Sequence, residues 1–312
     1  MAFSRMCFFR KLFNMKLSQY INKNSRLQTH FNYFFGGVIC VLSILLFWNI
    51  PAGWSLELSL PETAYQGDMI VGKTDPLAEI WLKENRQTVG PQGYFVLPVP
   101  RNQKTDFRIT ARSRDKTVSH IVRIWAYSWR TQKIKGLPQK YVTPSAKQQE
   151  RVVSDNRKVQ KIRGDHPYPV PFFIKKGFIK PVKGTVTSPF GLNRVLNGQP
   201  KNSHSGVDIA APLGRPVYCP ADGIVRLVDS DMFLMGKTLM VDHGLGVTSI
   251  FIHLDAIMVN TGDLIRQGDL IARVGKSGRA TGPHLHWGVS SGRTPLDPLR
   301  LIDRYFQFPD GN

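Results

Sequence analysis

The sequence predicts a mainly β, membrane-anchored chain with a small N-terminal β domain, a helical linker and a C-terminal antiparallel β domain. An apolar run of transmembrane length follows a basic N-terminus, strand-like alternation fills residues 54–130, and β-rich segments alternate with glycine turns after residue 177. We therefore divide the chain into six parts. They are a basic cytoplasmic segment (1–32), an anchor (33–50), a small β domain (54–130), a linker (131–176), the C-terminal domain (177–302) and a tail (303–312).

The formal net charge of +20 is concentrated in the N-terminal part of the chain. Residues 51–176 contain 22 basic and 11 acidic side chains, whereas residues 177–312 contain 14 and 11. Such an excess favours an anionic partner, and a cell-wall polymer is one candidate. The sequence has no aromatic-rich nucleic-acid motif and no Cys/His finger, so it predicts no nucleic-acid binding.

The predicted anchor lies in a stretch of 30 residues without Lys, Arg, Asp or Glu, between Arg26 and Glu57. Residues 33–50 are almost wholly apolar, and as a helix they would extend about 27 Å, which is close to the thickness of the hydrocarbon core. The basic flank predicts a cytoplasmic N-terminus and a single-pass membrane protein. A cleaved signal peptide is the alternative, and both interpretations export everything after residue 54.

The middle of the chain combines strand patterns with one helix. In "DFRITARS" the residues Phe107, Ile109 and Ala111 alternate with polar ones, which is typical of a half-buried strand. Prolines at 138 and 144 indicate a linker, and Ser145 is positioned to cap a helix that runs to about Arg163. The helix carries charges of both signs and leans basic, which favours a solvated face.

Five of the eight histidines lie in the C-terminal domain. In a strand the side chains of residues i and i+2 point to the same face, so His284 and His286 of "GPHLHWGV" share one face. His204 and Asp208 of "HSGVD" are four residues apart and share a face if their segment is extended. Three or four N/O ligands would suit Zn²⁺, which at catalytic sites has three protein ligands and one open position. Spacing alone does not assign these roles.

Two further residues near these motifs favour structural roles. Asp255, two residues after His253, could orient a histidine, but a surface role in a turn or ion pair is the stronger expectation. His243 in "DHG" is expected to close a turn rather than to bind metal.

Residues 178–300 resemble the lysostaphin-type (LytM-like) zinc metallopeptidases, which cut peptide cross-links in bacterial peptidoglycan. The resemblance is carried by "SPFG", "NRVLNG", "HSGVDIAAPLGRPV", "ADGIV", "DHGLG" and "GDLIRQGDLIARVGKSGRATGPHLHWGV". It implies one Zn²⁺ per chain, with His204, Asp208 and His286 as ligands. It also implies that His253 and His284 are the catalytic pair beside the attacking water or the oxyanion. The family fold is a compact antiparallel β domain with an open groove.

The resemblance implies a zinc-dependent endopeptidase acting on peptidoglycan stem peptides, with the inner membrane and a regulatory protein as further partners. A non-catalytic, wall-binding LytM-type scaffold that activates another hydrolase is the main alternative. Such scaffolds typically lack ligands, whereas all five site residues are present here. A biotinyl or lipoyl carrier is a weaker alternative, because Lys237 lacks the Met-Lys-Met or Asp-Lys-Ala context of a carrier lysine.

Overall fold

The computed structural model describes residues 56–165 and 168–302, with residue 304. The predicted anchor at residues 33–50 and the basic segment before it lie outside the described residues. None of the helices in the described ranges is both long and apolar enough to cross a bilayer. The described part is dominated by strands, so the prediction of a mainly β chain is confirmed.

Eight strands between residues 58 and 125 form two sheets around one apolar core. The strands are β1 (Leu58–Ser59), β2 (Thr63–Tyr65), β3 (Met69–Thr74), β4 (Glu79–Leu82), β5 (Asn85–Gln87), β6 (Tyr94–Pro98), β7 (Phe107–Ser113) and β8 (Lys116–Trp125). One sheet has the order β1-β3-β6 and the other β2-β8-β7-β4-β5. Phe107, Ile109 and Ala111 are buried in this core while Arg108 and Arg112 are exposed, as the alternating pattern predicts.

Strands β3 and β6 are buried on both faces. Ile70 and Leu97 pack into the core of the N-terminal β domain. Their neighbours Met69, Val71 and Val96 point the opposite way and pack into the core of the C-terminal domain. A strand that is apolar at successive positions is typical of burial on both faces. The two domains consequently share this sheet, and all described residues belong to one compact unit that begins at Leu56.

The segment between the two domains contains strand β9 (Thr131–Ile134), helix α1 (Gln139–Val142) and helix α2 (Ala146–Gly164). The Ser145 hydroxyl accepts from the Gln148 backbone N–H and the Gln148 side chain accepts from the Ser145 N–H, which forms a capping box. One face of α2 buries Val159 against the C-terminal domain. Two of its basic side chains pair with carboxylates there, with 2.6 Å between Arg151 and Asp231 and 2.7 Å between Lys158 and Asp229.

The C-terminal domain is built on an antiparallel sheet of ten strands. The strands after residue 184 are β10 (Thr185–Ser188), β11 (Asn193–Leu196), β12 (Gln199–Lys201), β13 (Val207–Ala210), β14 (Pro216–Tyr218), β15 (Gly223–Met232), β16 (Gly236–Asp242), β17 (Val247–Ile257), β18 (Leu264–Ile265), β19 (Leu270–Val274), β20 (His284–Ser291) and β21 (Thr294–Leu296), followed by a 3₁₀ helix (Pro298–Leu301). A separate small sheet has the order β12-β11-β9 and joins β9 to the hairpin β11–β12. The main path is β10-β13-β20-β17-β16-β15-β18, with β14, β19 and β21 paired beside it. One face of the sheet covers a core that contains Phe251, Leu285 and Trp287.

His243 is a structural residue of this core. Its ring is fully buried and lies edge-on to Phe178, with ring centroids 5.2 Å apart. Nδ1 donates to the Asp222 carbonyl at 2.9 Å, and Nε2 accepts from the Ser249 hydroxyl at 2.9 Å. The Ser249 oxygen in turn accepts from Trp287 Nε1 at 3.2 Å. Both ring nitrogens are therefore satisfied in the neutral form.

We expect His243 to make the folded chain acid-sensitive. Burial lowers the pKa of His243 from 6.5 to about 4. Between these pH values the unfolded chain is protonated at His243, whereas the folded chain is not. Stability from this group is complete above pH 6.5 and is lost as the pH falls towards about 4, a difference of about 3 kcal/mol. Denaturant unfolding of the full chain and of His243→Gln at several pH values measures this contribution to the free energy of unfolding. An equally steep loss in both proteins between pH 6.5 and 4 would contradict the assignment.

Candidate metal centre

The pairing of β13 with β20 brings the polar residues of both strands to one face. Asp208 lies directly opposite His286, and Ala210 lies opposite His284. The alternate residues of the same strands, Ile209 and Leu285, are fully buried in the core. The open face of the sheet therefore carries Asp208 and both histidines.

His204 reaches the same place from the loop before β13. Its Nε2 lies 3.0 Å from Asp208 Oδ1 and 3.0 Å from His286 Nδ1, and His286 Nδ1 lies 2.7 Å from Asp208 Oδ1. A tetrahedral zinc ion with bonds of about 2.05 Å places its ligand atoms about 3.3 Å apart. Two imidazoles and one carboxylate at this spacing fit a catalytic zinc site, with the fourth position left for water or substrate. Among the described residues these three form the His/Cys/Asp/Glu group that could hold a metal ion.

Hydrogen bonds behind the ligands orient them. His204 Nδ1 lies 2.9 Å from the Pro189 carbonyl, so it carries the proton and leaves the Nε2 lone pair directed at the centre. Arg194 Nη2 donates to Asp208 Oδ2 at 2.7 Å, on the side away from the histidines. The Ser188 hydroxyl accepts from Arg194 at 3.3 Å and donates to the Gln132 side chain of β9 at 3.0 Å. The segment before the C-terminal domain thus contributes to the support of the ligands.

The electrostatics of the cluster favour the metal-binding protonation states. Burial alone would raise the pKa of Asp208, but its close contacts with His204 and His286 hold the pKa of that carboxyl well below its usual range. Burial lowers the pKa of His286 to about 4, against the opposing charge of Asp208. At neutral pH the centre is therefore one carboxylate with a neutral His286, and neutral imidazole is the form that binds a metal.

His253 is directed to the site by a β-bulge in β17. Strands β16 and β17 pair at Lys237–Leu254 and at Leu239–Phe251. Between these pairs β16 has one residue, Thr238, whereas β17 has two, Ile252 and His253. His253 has φ +63°, a left-handed conformation that is uncommon for residues other than glycine. Its Nδ1 donates to the Ser277 carbonyl at 2.8 Å, which leaves Nε2 as the free acceptor. Burial is the main cause that lowers the pKa of His253 to about 3, and the neighbouring histidines lower it further.

His284 stands beside His253 at the edge of the site. The two ring centroids are 4.9 Å apart, and the His253 ring is 6.4 Å from the His286 ring. Nδ1 of His284 donates to the Gly282 carbonyl at 2.9 Å, and the side chain is half-buried. The structure therefore brings all five predicted site residues together, three as a cluster of donor atoms and two as a neighbouring pair.

Gly206 of the "HSGVD" motif is required by the close approach of two strands. A Cβ at this position would lie 2.5 Å from the Trp287 carbonyl and 2.8 Å from His286 Nε2. Real Cβ atoms do not approach that closely, so any other residue would displace a proposed ligand.

Helix α1 contacts three segments of the C-terminal domain. The Tyr141 ring packs against Phe233 of the β15–β16 hairpin, with centroids 5.7 Å apart. The Tyr141 carbonyl accepts from Arg279 Nη1 at 3.4 Å, and the Val142 carbonyl accepts from Lys201 Nζ at 2.7 Å. These contacts join α1 to both hairpins and to the loop before β20.

Sequence reasoning missed the residues behind the ligands. Arg194 lay within the quoted "NRVLNG", but nothing in its spacing connects it to Asp208. Ser188 and Gln132 act only through contacts that the fold creates. Asp255 is exposed and its backbone carbonyl accepts from Lys237 Nζ, in keeping with the surface role expected for it.

Comparison with known proteins agrees with this geometry. Residues 202–298 match the model of peptidase family M23. The peptidoglycan DD-endopeptidase ShyB of Vibrio cholerae is 39% identical over 97 residues, which are 31% of this chain and 22% of that protein. The DD-carboxypeptidase/endopeptidase Mpg of Neisseria meningitidis is 36% identical over 129 residues, which are 41% of this chain and 30% of that protein. The matched region thus spans less than a third of either relative.

The likeness in three dimensions extends beyond the family match. A crystal structure from Pseudomonas aeruginosa that is assigned to peptidase M23 aligns with 76% of this chain and 94% of its own, at a TM-score of 0.60 and 26% identity. A match of that length includes part of the chain before residue 202. The predicted family resemblance is confirmed, and residues 202–298 form a domain of peptidase family M23.

Proposed function

We propose that this chain is a zinc-dependent endopeptidase that hydrolyses peptide cross-links of bacterial peptidoglycan. The observation that carries the proposal is the set of three donor atoms from His204, Asp208 and His286, with His253 and His284 beside them on one open face. A ligand cluster alone would also suit a structural metal. Two further histidines with free Nε2 atoms can supply the general acid and base that peptide hydrolysis uses in addition.

His204, Asp208 and His286 would hold one zinc ion, which when bound supplies a Lewis acid for the scissile carbonyl and lowers the pKa of water. Arg194 keeps the second Asp208 oxygen engaged, so that one oxygen faces the centre. Because their Nδ1 atoms donate to carbonyls, His253 and His284 present Nε2 as acceptors for a proton of the attacking water. The imidazole that takes the proton becomes a donor and can return it to the leaving amine.

For the bond that is cut, we propose the D-alanine to diaminopimelate cross-link of a Gram-negative wall. The support is that several relatives bear the name peptidoglycan DD-endopeptidase. The matched region covers the proposed ligands of this chain but only a small part of those proteins.

For location, we propose an inner-membrane protein with residues 33–50 as a single anchor, a cytoplasmic N-terminus and a periplasmic catalytic domain. The support is the uncharged apolar run and its basic flank. A reporter active only in the periplasm, fused after residue 54, would be inactive if this topology were wrong. A regulatory protein partner belongs to the same proposal.

Digestion of purified peptidoglycan by the full chain tests the proposal directly. With zinc we expect the cross-linked muropeptides to be converted to monomers. With a chelator we expect no conversion, because the proposed mechanism relies on bound zinc to lower the pKa of the attacking water. Mass spectrometry of the products identifies the bond. Unchanged muropeptides from a zinc-loaded protein would instead favour the scaffold that binds the wall and activates another hydrolase.

Alanine variants separate the proposed ligand from the proposed catalyst on β20. His286→Ala should lose both zinc and activity, because the remaining pair of ligands binds zinc weakly. His284→Ala should keep most of the zinc and lose most of the turnover. Zinc content after gel filtration and muropeptide release are measured together, with His120→Ala in the N-terminal domain as a matched control. Full zinc occupancy in His286→Ala, or loss of zinc in His284→Ala, would contradict the division of roles.

Arg194 should act on the reaction through Asp208. Arg194→Gln leaves a buried carboxylate without its charged partner, and we expect zinc affinity to fall about 10- to 100-fold. Competition with a fluorescent chelator measures that affinity, and turnover at saturating zinc is measured in parallel. Arg108→Gln, which removes an exposed arginine of β7, is the matched control. Equal zinc affinity in Arg194→Gln and the wild type would remove Arg194 from the proposed site.

A further inference from the structure

A cavity of about 100 Å³ lies between the N-terminal β domain and the C-terminal domain. Tyr127, Trp129 and Phe190 supply aromatic walls, and Arg130, Asp297 and Arg300 supply polar ones. Sites for complete small molecules are about 300–1,000 Å³, so this cavity suits one side group of a larger ligand. A ligand that fits this cavity has to be amphipathic, because aromatic and charged side chains line the same small space.

The surface around the cavity is unusually aromatic. Tyr65, Trp125 and Tyr127 are 43%, 53% and 50% exposed, and they are three of the four exposed aromatic side chains in the described ranges. Tyr65 and Trp125 are register partners on β2 and β8. The Arg300 guanidinium lies over the Tyr65 ring at 4.6 Å and over the Tyr127 ring at 6.0 Å. Clustered exposed rings at the rim of a cavity indicate a ligand-binding surface.

Two polar groups of the cavity, Arg300 and Asp297, are held in place. Arg300 pairs with Asp68 at 3.2 Å and approaches Asp297 Oδ2 at 3.6 Å, and Asp297 Oδ1 accepts from the Leu299 N–H at 3.1 Å. The Arg130 guanidinium is exposed and makes no ion pair within the described residues. The cavity therefore offers N–H donors, one of them fixed, and a carboxylate acceptor beside apolar walls. An acetamido group matches this set, with a methyl group for the rings, a carbonyl for arginine and an N–H for the carboxylate.

The cavity also adjoins the metal centre. Pro189 lines the cavity, and its carbonyl accepts from His204 Nδ1 at 2.9 Å. The neighbouring Leu192 lines the cavity too, and its carbonyl accepts from the His204 N–H at 2.9 Å. One short segment therefore has the cavity on one side and a proposed zinc ligand on the other.

We propose that this cavity is a subsite for the glycan strand of peptidoglycan. The N-acetyl group of one amino sugar enters the cavity, and the ring of that sugar stacks on Tyr127. The inference rests on the proposed function, because the glycan is the polymer that carries the stem peptides. A strand bound here lies one short segment, residues 189–192, away from His204. A membrane surface fits less well, because the cavity is concave and contains Asp297, which anionic headgroups would avoid.

Saturation-transfer NMR of the full chain with a β-1,4-linked N-acetylglucosamine tetrasaccharide tests the binding. We expect the N-acetyl methyl protons to receive the strongest saturation, and a glucose tetrasaccharide without acetyl groups to receive little. Tyr127→Ala should weaken binding about tenfold, as should Arg130→Gln, which changes only an exposed side chain. Tyr218→Ala, an equally exposed tyrosine outside the cavity, is the matched control and should bind as the wild type does.

Absence of saturation at millimolar sugar, or equal binding by Tyr127→Ala and Tyr218→Ala, would overturn the subsite. Binding to anionic vesicles that Tyr127→Ala abolishes, without any sugar signal, would assign the surface to lipid instead. On intact peptidoglycan Tyr127→Ala should be slowed about tenfold more than on a cross-linked peptide freed of glycan. Equal slowing on both substrates would contradict the subsite. If the chain cleaved neither substrate the proposed endopeptidase would fail, and the sugar titration would still decide the subsite.

Discussion

The antiparallel register of β13 against β20 is the constraint on which the candidate metal centre depends. Because the side-chain period of a strand is two residues, a slip by one position would turn Asp208 or His286 into the core. The core side of the same strands is filled by Ile209, Leu285 and other buried apolar residues, which makes such a slip costly. The hydrophobic pattern on one face of the sheet therefore determines which polar residues meet on the other.

The same periodicity explains what could be predicted from the sequence and what could not. The shared face of His284 and His286 follows directly from their i, i+2 spacing. His253 does not follow, because a regular β17 would point it to the same side as Phe251, into the core. The bulge and the left-handed backbone of His253 turn it to the site instead, and neither feature has a turn residue such as glycine to indicate it. For His253 the family resemblance therefore carried information that spacing lacked.

The support of Asp208 was equally invisible to local patterns. A buried carboxylate is stable only when its oxygens have partners, and here Arg194 engages one oxygen while the histidines engage the other. Ser188 extends the contact to Gln132, which is 56 residues away in the chain. Parallel pairing of β9 with β11 creates that proximity. A segment predicted to be a linker thus takes part in the site, and no periodicity within that segment could have shown it.

The shared sheet also limits how far the two β domains can separate. Moving the N-terminal β domain away would expose Met69, Val71 and Val96, and burial of one such side chain contributes roughly 1.5–3 kcal/mol. Helix α1 is only four residues long, and its contact with Arg279 is a hydrogen bond of 3.4 Å. It buries Val142 in a small cluster with Leu137 and Leu196, which is fewer apolar side chains than the shared sheet buries. Displacement of α1 therefore costs less apolar surface than any movement of the β domain as a whole, because local opening starts where few buried contacts hold a segment.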